Sequence, residues 1–194
     1  YTVSYLTSSN LCAVTGTFDV TITDDEDGTF TYASAEYCVS GSDPTPTVTG
    51  TTGGTFSSTT GLSINSSTGE IDLSASTAGT YTVSYLTSSN TCAVTGTFDV
   101  TITDDEDGTF TYAATEYCKS GSNPTPTVTG TTGGTFSSTA GLSINASTGE
   151  IDIAASTAGT YTVSYLTSSN LCAVTGTFDV TITDDEDGTF TYAS

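Results

Sequence analysis

Short segments in which polar and apolar residues alternate recur along the chain and predict β-strands. Residues 80–85 alternate small polar with large apolar side chains, and residues 97–103 direct Phe98, Val100 and Ile102 to one face. Shorter alternating segments follow one another between turns rich in Gly, Ser and Thr, and none has the apolar period of a long helix. This pattern predicts an all-β chain built as an antiparallel β-sandwich of the immunoglobulin-like type.

The strand pattern is itself copied along the sequence with a period of 80 residues. Residues 1–33 return at 81–113 and at 161–193, changed only at Leu11, which is Thr91 and then Leu171. Such a period indicates a tandem array of structural repeats. We interpret the chain as a section of a longer array, divided into 1–27 (the C-terminal part of one repeat), 28–107 and 108–187 (two Ig-like repeats) and 188–194 (the first strand of the next).

Each 80-residue repeat needs a core of its own. Ten apolar residues of the repeat 28–107 are predicted to form it, with their counterparts 80 residues on forming the next: Phe30, Tyr32, Leu62, Ile64, Ile71, Tyr81, Val83, Phe98, Val100 and Ile102. A unit of this size buries only about 60% of its unfolded surface, so its stability is marginal without reinforcement.

The charge of the chain excludes several classes of partner. One basic side chain, Lys119, stands against 22 acidic ones and no histidine, giving a net charge of −21. We therefore exclude nucleic acid and direct membrane contact as electrostatic partners, whereas cations are attracted. With no histidine and no nucleophile beside a base, the residues indicate a protein that is not an enzyme.

Three motifs carry a resemblance to a known class of repeat. GLSIN at 61–65, STGEI at 67–71 and AGTYTV at 78–83 are similar to the Ig-like and cadherin-like repeats of bacterial surface proteins, such as giant repetitive adhesins of gliding and biofilm-forming bacteria. The resemblance implies a β-sandwich fold and a structural role in an extracellular stalk or filament at the bacterial cell surface. Its expected partners are neighbouring repeats and copies of itself.

The cysteines occur twice in each repeat at fixed positions. Cys12, Cys38, Cys92, Cys118 and Cys172 fit a secreted protein whose cysteines form disulfides. Because Ig-like cores use an internal bridge, we expect Cys38 to pair with Cys92 and Cys118 with Cys172, leaving Cys12 unpaired. Each bridge would close a loop of roughly 55 residues and would raise the free energy of unfolding by up to about 4 kcal/mol. The rival pairing, Cys12 with Cys38, would join neighbouring repeats, and the odd number of cysteines does not decide between them.

An acidic run, DDEDG, stands at each predicted junction between repeats. Hard oxygen ligands gathered there suggest Ca²⁺, and the cadherin-like resemblance points the same way. The candidate calcium ligands are Asp24, Asp25, Asp27, Asp104, Asp105, Asp107, Glu116, Asp184, Asp185 and Asp187. The alternative is a solvated hinge whose charges keep neighbouring repeats apart.

Two functions follow from these residues. The first is a structural repeat of an extracellular bacterial filament or adhesin stalk, stiffened by Ca²⁺ at the junctions. The alternative is a polysaccharide-binding β-sandwich module, although the chain has no tryptophan to stack against a sugar ring. The sequence favours the structural function.

Overall fold

The fold is known from a computed structural model, which describes residues 1–9, 11–88, 91–169, 171–186 and 188–189. All the regular secondary structure of these residues is β-strand, apart from turns and bends. The prediction of an all-β chain with Ig-like antiparallel sandwiches is thereby confirmed. Within the same residues, no helix is long and apolar enough to cross a membrane.

Eighteen strands follow one another in the described chain. In order they are β1 Thr2–Leu6, β2 Thr15–Asp19, β3 Phe30–Thr31, β4 Glu36–Cys38, β5 Thr47–Val48, β6 Thr55–Ser58, β7 Ser63–Ile64, β8 Ile71–Asp72, β9 Gly79–Leu86, β10 Thr95–Thr103, β11 Phe110–Thr111, β12 Glu116–Cys118, β13 Thr127–Val128, β14 Thr135–Ser138, β15 Ser143–Ile144, β16 Ile151–Asp152, β17 Gly159–Leu166 and β18 Thr175–Thr183.

The two full repeats have the same sheet topology. A four-stranded sheet has the order β4-β10-β9-β6 in the first repeat and β12-β18-β17-β14 in the second. Two short strand pairs accompany each sheet, β3-β5 with β7-β8 and β11-β13 with β15-β16. The long pair β17–β18 is antiparallel, with Tyr161 opposite Val180, whereas the edge strand β12 runs parallel to β18.

Two compact units divide the chain. The first comprises residues 1–35 and 42–101, and the second comprises residues 36–41 and 102–194. The second unit therefore includes a short segment, residues 36–41, that precedes most of the first unit in sequence. The repeat boundaries predicted after residues 27, 107 and 187 stay predictions.

The core of the second unit lies between the four-stranded sheet and the short strand pairs. Its buried members are Phe110, Tyr112, Phe136, Leu142, Ile151, Ile153, Tyr161, Val163, Tyr165, Val180 and Ile182. Aromatic rings fill its centre: Phe110 meets Phe136 edge to face at a centroid distance of 5.4 Å, and Phe136 meets Tyr165 at 4.6 Å. Burial raises the pKa of Tyr112, whose hydroxyl donates to the carbonyl of Gly149.

Eight of the ten predicted core residues of residues 28–107 are buried, and Ile64 and Phe98 are half-buried. The prediction missed three buried apolar side chains, Phe56, Leu73 and Tyr85. Leu73 lies two residues after Ile71 and Tyr85 two after Val83, so the same alternation could have found both. Phe56 is a single apolar residue among Thr, Gly and Ser, and no local pattern distinguishes it.

The β1–β2 hairpin shows that burial depends on surroundings as well as on sequence. Val3 and Tyr5 are 57% and 72% exposed, whereas the same residues one repeat later, Val83 and Tyr85, are 0% and 1% exposed. The pairing is unchanged: Val3 lies opposite Phe18, as Val163 lies opposite Phe178. The local sequence therefore fixes the hairpin, and the segment packed on its apolar face determines its burial.

Candidate functional site: the disulfide and the acidic junction

One disulfide joins Cys38, at the end of β4, to Cys172, in the loop between β17 and β18. Both predicted pairs, Cys38–Cys92 and Cys118–Cys172, are therefore wrong. The rival pair, Cys12 with Cys38, is equally absent, since Cys38 is bonded to Cys172. The bridge spans 134 residues, which is more than one 80-residue repeat.

The end of β10 explains this pairing. The amide of Val39, next to Cys38, donates to the carbonyl of Thr103 at 3.0 Å. The sulfur of Cys172 lies 4.0 Å from the same carbonyl oxygen. Both cysteines of the bridge therefore lie at the same strand end, that of β10. The predicted pairs do not take this contact into account.

Cys92 and Cys118 lie beside Thr23 and Thr183, the residues that correspond to Thr103 in the other copies of the repeat. The hydroxyl of Thr23 lies 2.9 Å from the sulfur of Cys92, across 69 residues, which is also the separation between Thr103 and Cys172. The hydroxyl of Thr183 donates to the sulfur of Cys118 at 3.7 Å, across 65 residues. Cys92 and Cys172 thus lie beside a threonine 69 residues earlier in the chain, in the preceding repeat, whereas Cys118 lies beside a threonine 65 residues later, in its own repeat. A bridge at such a threonine therefore joins cysteines of successive repeats, as Cys38–Cys172 does.

Asp105 lies beside the disulfide. One of its carboxylate oxygens and the sulfurs of Cys38 and Cys172 lie within 4.8 Å of one another. The hydroxyl of Ser40 donates to this carboxylate at 2.8 Å. At the corresponding place 80 residues later, the amide of Ser120 donates to Asp185 at 3.1 Å, and hydrogen bonds from the side chain and the amide of Ser120 lower the pKa of Asp185.

The last aspartate of the acidic run is held by a threonine two residues later. Asp107 accepts hydrogen bonds from the hydroxyl and the amide of Thr109, which lower the pKa of the Asp107 carboxyl. Its backbone is held as well, because the amide of Thr131 donates to the carbonyl of Asp107 at 2.7 Å. Asp27 makes the same contacts with Thr29 and Thr51.

Glu106 connects the acidic run to the cysteine loop. Its carboxylate accepts a hydrogen bond from the amide of Ser169 at 2.9 Å, and hydrogen bonds from the Thr167 hydroxyl and the Ser169 amide lower the pKa of Glu106. Its own amide donates to the carbonyl of Cys172 at 3.1 Å. The amide of Glu26 donates to the carbonyl of Cys92 in the same way, at 3.1 Å.

The predicted calcium ligands do not converge in the part of the chain that the structure describes. Asp27, Asp105, Asp107 and Asp185 each face a Ser or Thr donor. The remaining described candidates are all exposed: Asp24, Asp25, Asp104, Glu116 and Asp184. Asp187 lies outside the described residues.

Among those residues the one group of three possible metal ligands is Cys38, Asp105 and Cys172, whose two sulfurs are bonded to each other. Ca²⁺ requires six to eight oxygen ligands. The arrangement of the described carboxylates therefore does not fit a calcium cage, and calcium binding stays a prediction.

Comparison with solved structures gives similarities of fold. A SusE-like surface-located polysaccharide-binding protein of Bacteroides thetaiotaomicron matches with a TM-score of 0.38 and 16% identity, over 82% of this chain and 34% of its own. Mouse cadherin-23 domains EC22–24 match with a TM-score of 0.35 and 15% identity, over 95% of this chain and 74% of their own. Human protocadherin-24 domains EC1–2 match with a TM-score of 0.36 and 10% identity, over 84% of this chain and 100% of their own.

All three TM-scores lie below 0.5, so no property of these proteins is transferred to this chain. The chain spans about a third of the length of the SusE-like protein that it matches. No protein-family model matches the sequence, and no curated protein matches it. The sheets of the chain itself define its class, an all-β protein of tandem Ig-like β-sandwich repeats.

Proposed function

We propose that this chain is a structural section of an extracellular stalk or filament at a bacterial cell surface. The observation that carries the proposal is the Cys38–Cys172 disulfide, which joins positions in successive sequence repeats. Such a bridge is a second covalent link between successive repeats, in addition to the backbone. Disulfides persist in oxidising extracellular surroundings, which supports the location.

The near-identity of the copies supports the same role. Residues 81–113 and 161–193 differ at one position, Thr91 against Leu171 in the cysteine loop, so the long strands and the acidic run recur unchanged. A solenoid or array of this kind gains length by adding equal units, each contacting its neighbours. The 22 acidic side chains keep such an array soluble and repel similar arrays at low salt.

The described surface offers little to a carbohydrate ligand. Tyr32, Tyr81 and Tyr85 are buried in the first full repeat, as are Tyr112, Tyr161 and Tyr165 in the second. Exposed aromatic rings of the described residues include Tyr1, Tyr5 and Phe18 of the β1–β2 hairpin. No specific observation therefore favours the polysaccharide-binding alternative.

The proposal is tested by lengthening the chain. One and then two further copies of residues 81–160 are inserted after residue 160, and the maximum dimension is measured by small-angle X-ray scattering. A stalk gains the same increment with each copy. If the maximum dimension grows only as much as that of a compact globule would, the proposal is contradicted.

Parallel samples in millimolar calcium and in chelator test the calcium prediction. If their scattering profiles and melting curves are equal, the acidic run is only a charged hinge.

A further inference from the structure

A carboxylate of the acidic run faces the Cys38–Cys172 disulfide. One oxygen of Asp105 and the two sulfurs lie within 4.8 Å of one another. The next acid of the run is directed elsewhere, because the Glu106 carboxylate accepts a hydrogen bond from the amide of Ser169 at 2.9 Å. Asp105 therefore places a negative charge directly beside the bond that a reductant has to break.

A serine two residues after Cys38 holds this carboxylate in place. The hydroxyl of Ser40 donates to Asp105 at 2.8 Å. One repeat later, the amide of Ser120 donates to Asp185 at 3.1 Å, and hydrogen bonds from the side chain and the amide of Ser120 lower the pKa of Asp185. The contact between serine and aspartate is thus a feature of the repeat. It fixes the direction of the carboxylate and favours its charged form.

The two cysteines of the bridge differ in their access to solvent. Cys172 is 4% exposed, whereas Cys38 is half-buried, so a small molecule in solution reaches Cys38 more easily. A disulfide is broken by the thiolate form of the attacking thiol. The attacking group is therefore negatively charged, and it approaches a sulfur that has the Asp105 carboxylate within 4.8 Å.

We propose that Asp105 protects the disulfide from anionic thiols and so determines which class of reductant opens it. In the first step a thiolate bonds to the Cys38 sulfur, the Cys38–Cys172 bond breaks, and Cys172 leaves as a thiolate that takes a proton from water. A second thiolate attacks the mixed disulfide and releases Cys38, so that two small thiols end as one oxidised disulfide. This protection is independent of whether the chain forms a stalk, so the inference goes beyond the proposed function.

Coulomb repulsion sets the expected size of the effect. Removing a like charge about 5 Å from an approaching thiolate speeds the attack by about three- to ten-fold at a site open to water. A thiolate that carries a second negative charge is slowed more by Asp105, and one that carries an ammonium group is slowed less. Because salt screens these charges, the effect is largest at low ionic strength.

The experiment compares the full wild-type chain with Asp105→Asn and with the matched control Asp104→Asn. Asp104 is exposed and adjacent, so both substitutions change the net charge of −21 equally. Free thiols are first blocked with N-ethylmaleimide, and melting curves check that each variant is folded.

Each protein is then reduced at low ionic strength by mercaptoethanesulfonate, 2-mercaptoethanol or cysteamine. Their thiolates carry two negative charges, one negative charge and no net charge, respectively. Cysteines released at each time point are alkylated with iodoacetamide, and mass spectrometry of the peptides that contain Cys38 and Cys172 gives the rate.

Asp105→Asn is expected to be reduced about ten-fold faster than the wild type by mercaptoethanesulfonate, about three-fold faster by 2-mercaptoethanol and less than about two-fold faster by cysteamine. Asp104→Asn is expected to stay within about two-fold of the wild type with all three thiols.

Three results would overturn the inference. The first is an equal rate for Asp105→Asn and the wild type with mercaptoethanesulfonate. The second is an equal acceleration by Asp104→Asn, since the net charge of the chain would then account for the effect. The third is an acceleration of Asp105→Asn that is the same with all three thiols, which would mean that the substitution loosens the surroundings of the disulfide.

Discussion

Tyr5 and Tyr165 occupy the same position of the repeat in different surroundings. Comparing them shows how burial changes the contribution of the tyrosine hydroxyl to stability. The Tyr165 hydroxyl donates to the carbonyl of Thr131 and accepts from the amide of Gly134, both at 2.8 Å. Tyr165 is 1% exposed, whereas Tyr5 is 72% exposed. The hydroxyl therefore satisfies two backbone groups of the second unit at a site that water hardly reaches.

Replacing Tyr165 with Phe is expected to lower the free energy of unfolding by about 1–3 kcal/mol, because two backbone groups lose their partner. Urea unfolding followed by far-UV circular dichroism measures the change. The control is Tyr5→Phe, which removes the same atom from an exposed position and should change stability by less than about 0.5 kcal/mol. Equal effects of the two substitutions would show that the hydroxyl bonds of Tyr165 do not stabilise the fold.

At the scale of strands, a pair of glycines lets the acidic run approach β18. A Cβ built on Gly176 would lie 1.9 Å from the carbonyl oxygen of Gly108, and one on Gly108 would lie 2.7 Å from the amide nitrogen of Gly176. Gly28 and Gly96 meet in the same way in the first repeat. Because backbone atoms are involved, no side-chain rotation can relieve the clash.

Gly176→Ala is therefore expected to destabilise the second unit by about 1–3 kcal/mol, as overpacking does. Gly16→Ala is the matched control, since Gly16 has the same repeat position and no atom within 4 Å of its Cβ. Differential scanning calorimetry compares the two melting temperatures. A neutral Gly176→Ala would mean that the acidic run does not pack against β18 in solution.

Strands and much of the core could be predicted from alternation, whereas the disulfide could not. Alternation is a local property, and it identified the inward face of Tyr81 and Val83. The partner of Cys38 depends on which strand lies beside β4. That contact is distant in sequence: at the equivalent Cys118 it joins Cys118 to Thr183, 65 residues later. A repeated sequence fixes the position of each cysteine within its repeat. It does not show which copy of the repeat holds the cysteine that it pairs with. The pairing of Cys38 with Cys172 therefore needed the three-dimensional structure.

For the whole molecule, the disulfide determines how far the chain can extend under tension. Force applied at the two ends is carried along the backbone to Cys38, across the S–S bond and onward from Cys172. Residues 39–171 lie inside the closed loop and carry none of this force once the outer segments have yielded. The oxidised chain can thus lengthen only by the residues on either side of the bridge.

Single-molecule pulling from residues 1 and 194 tests this behaviour. Reduction is expected to increase the final contour length by roughly 450 Å, because 134 residues then extend at about 3.4 Å each. Cys38→Ser should show the longer contour without reductant, while Cys118→Ser should behave as the wild type. If the oxidised wild type already reached the longer contour, the Cys38–Cys172 bridge would be absent from the folded protein. The bridge is therefore expected to limit the extension of the chain in oxidising surroundings and to release it on reduction.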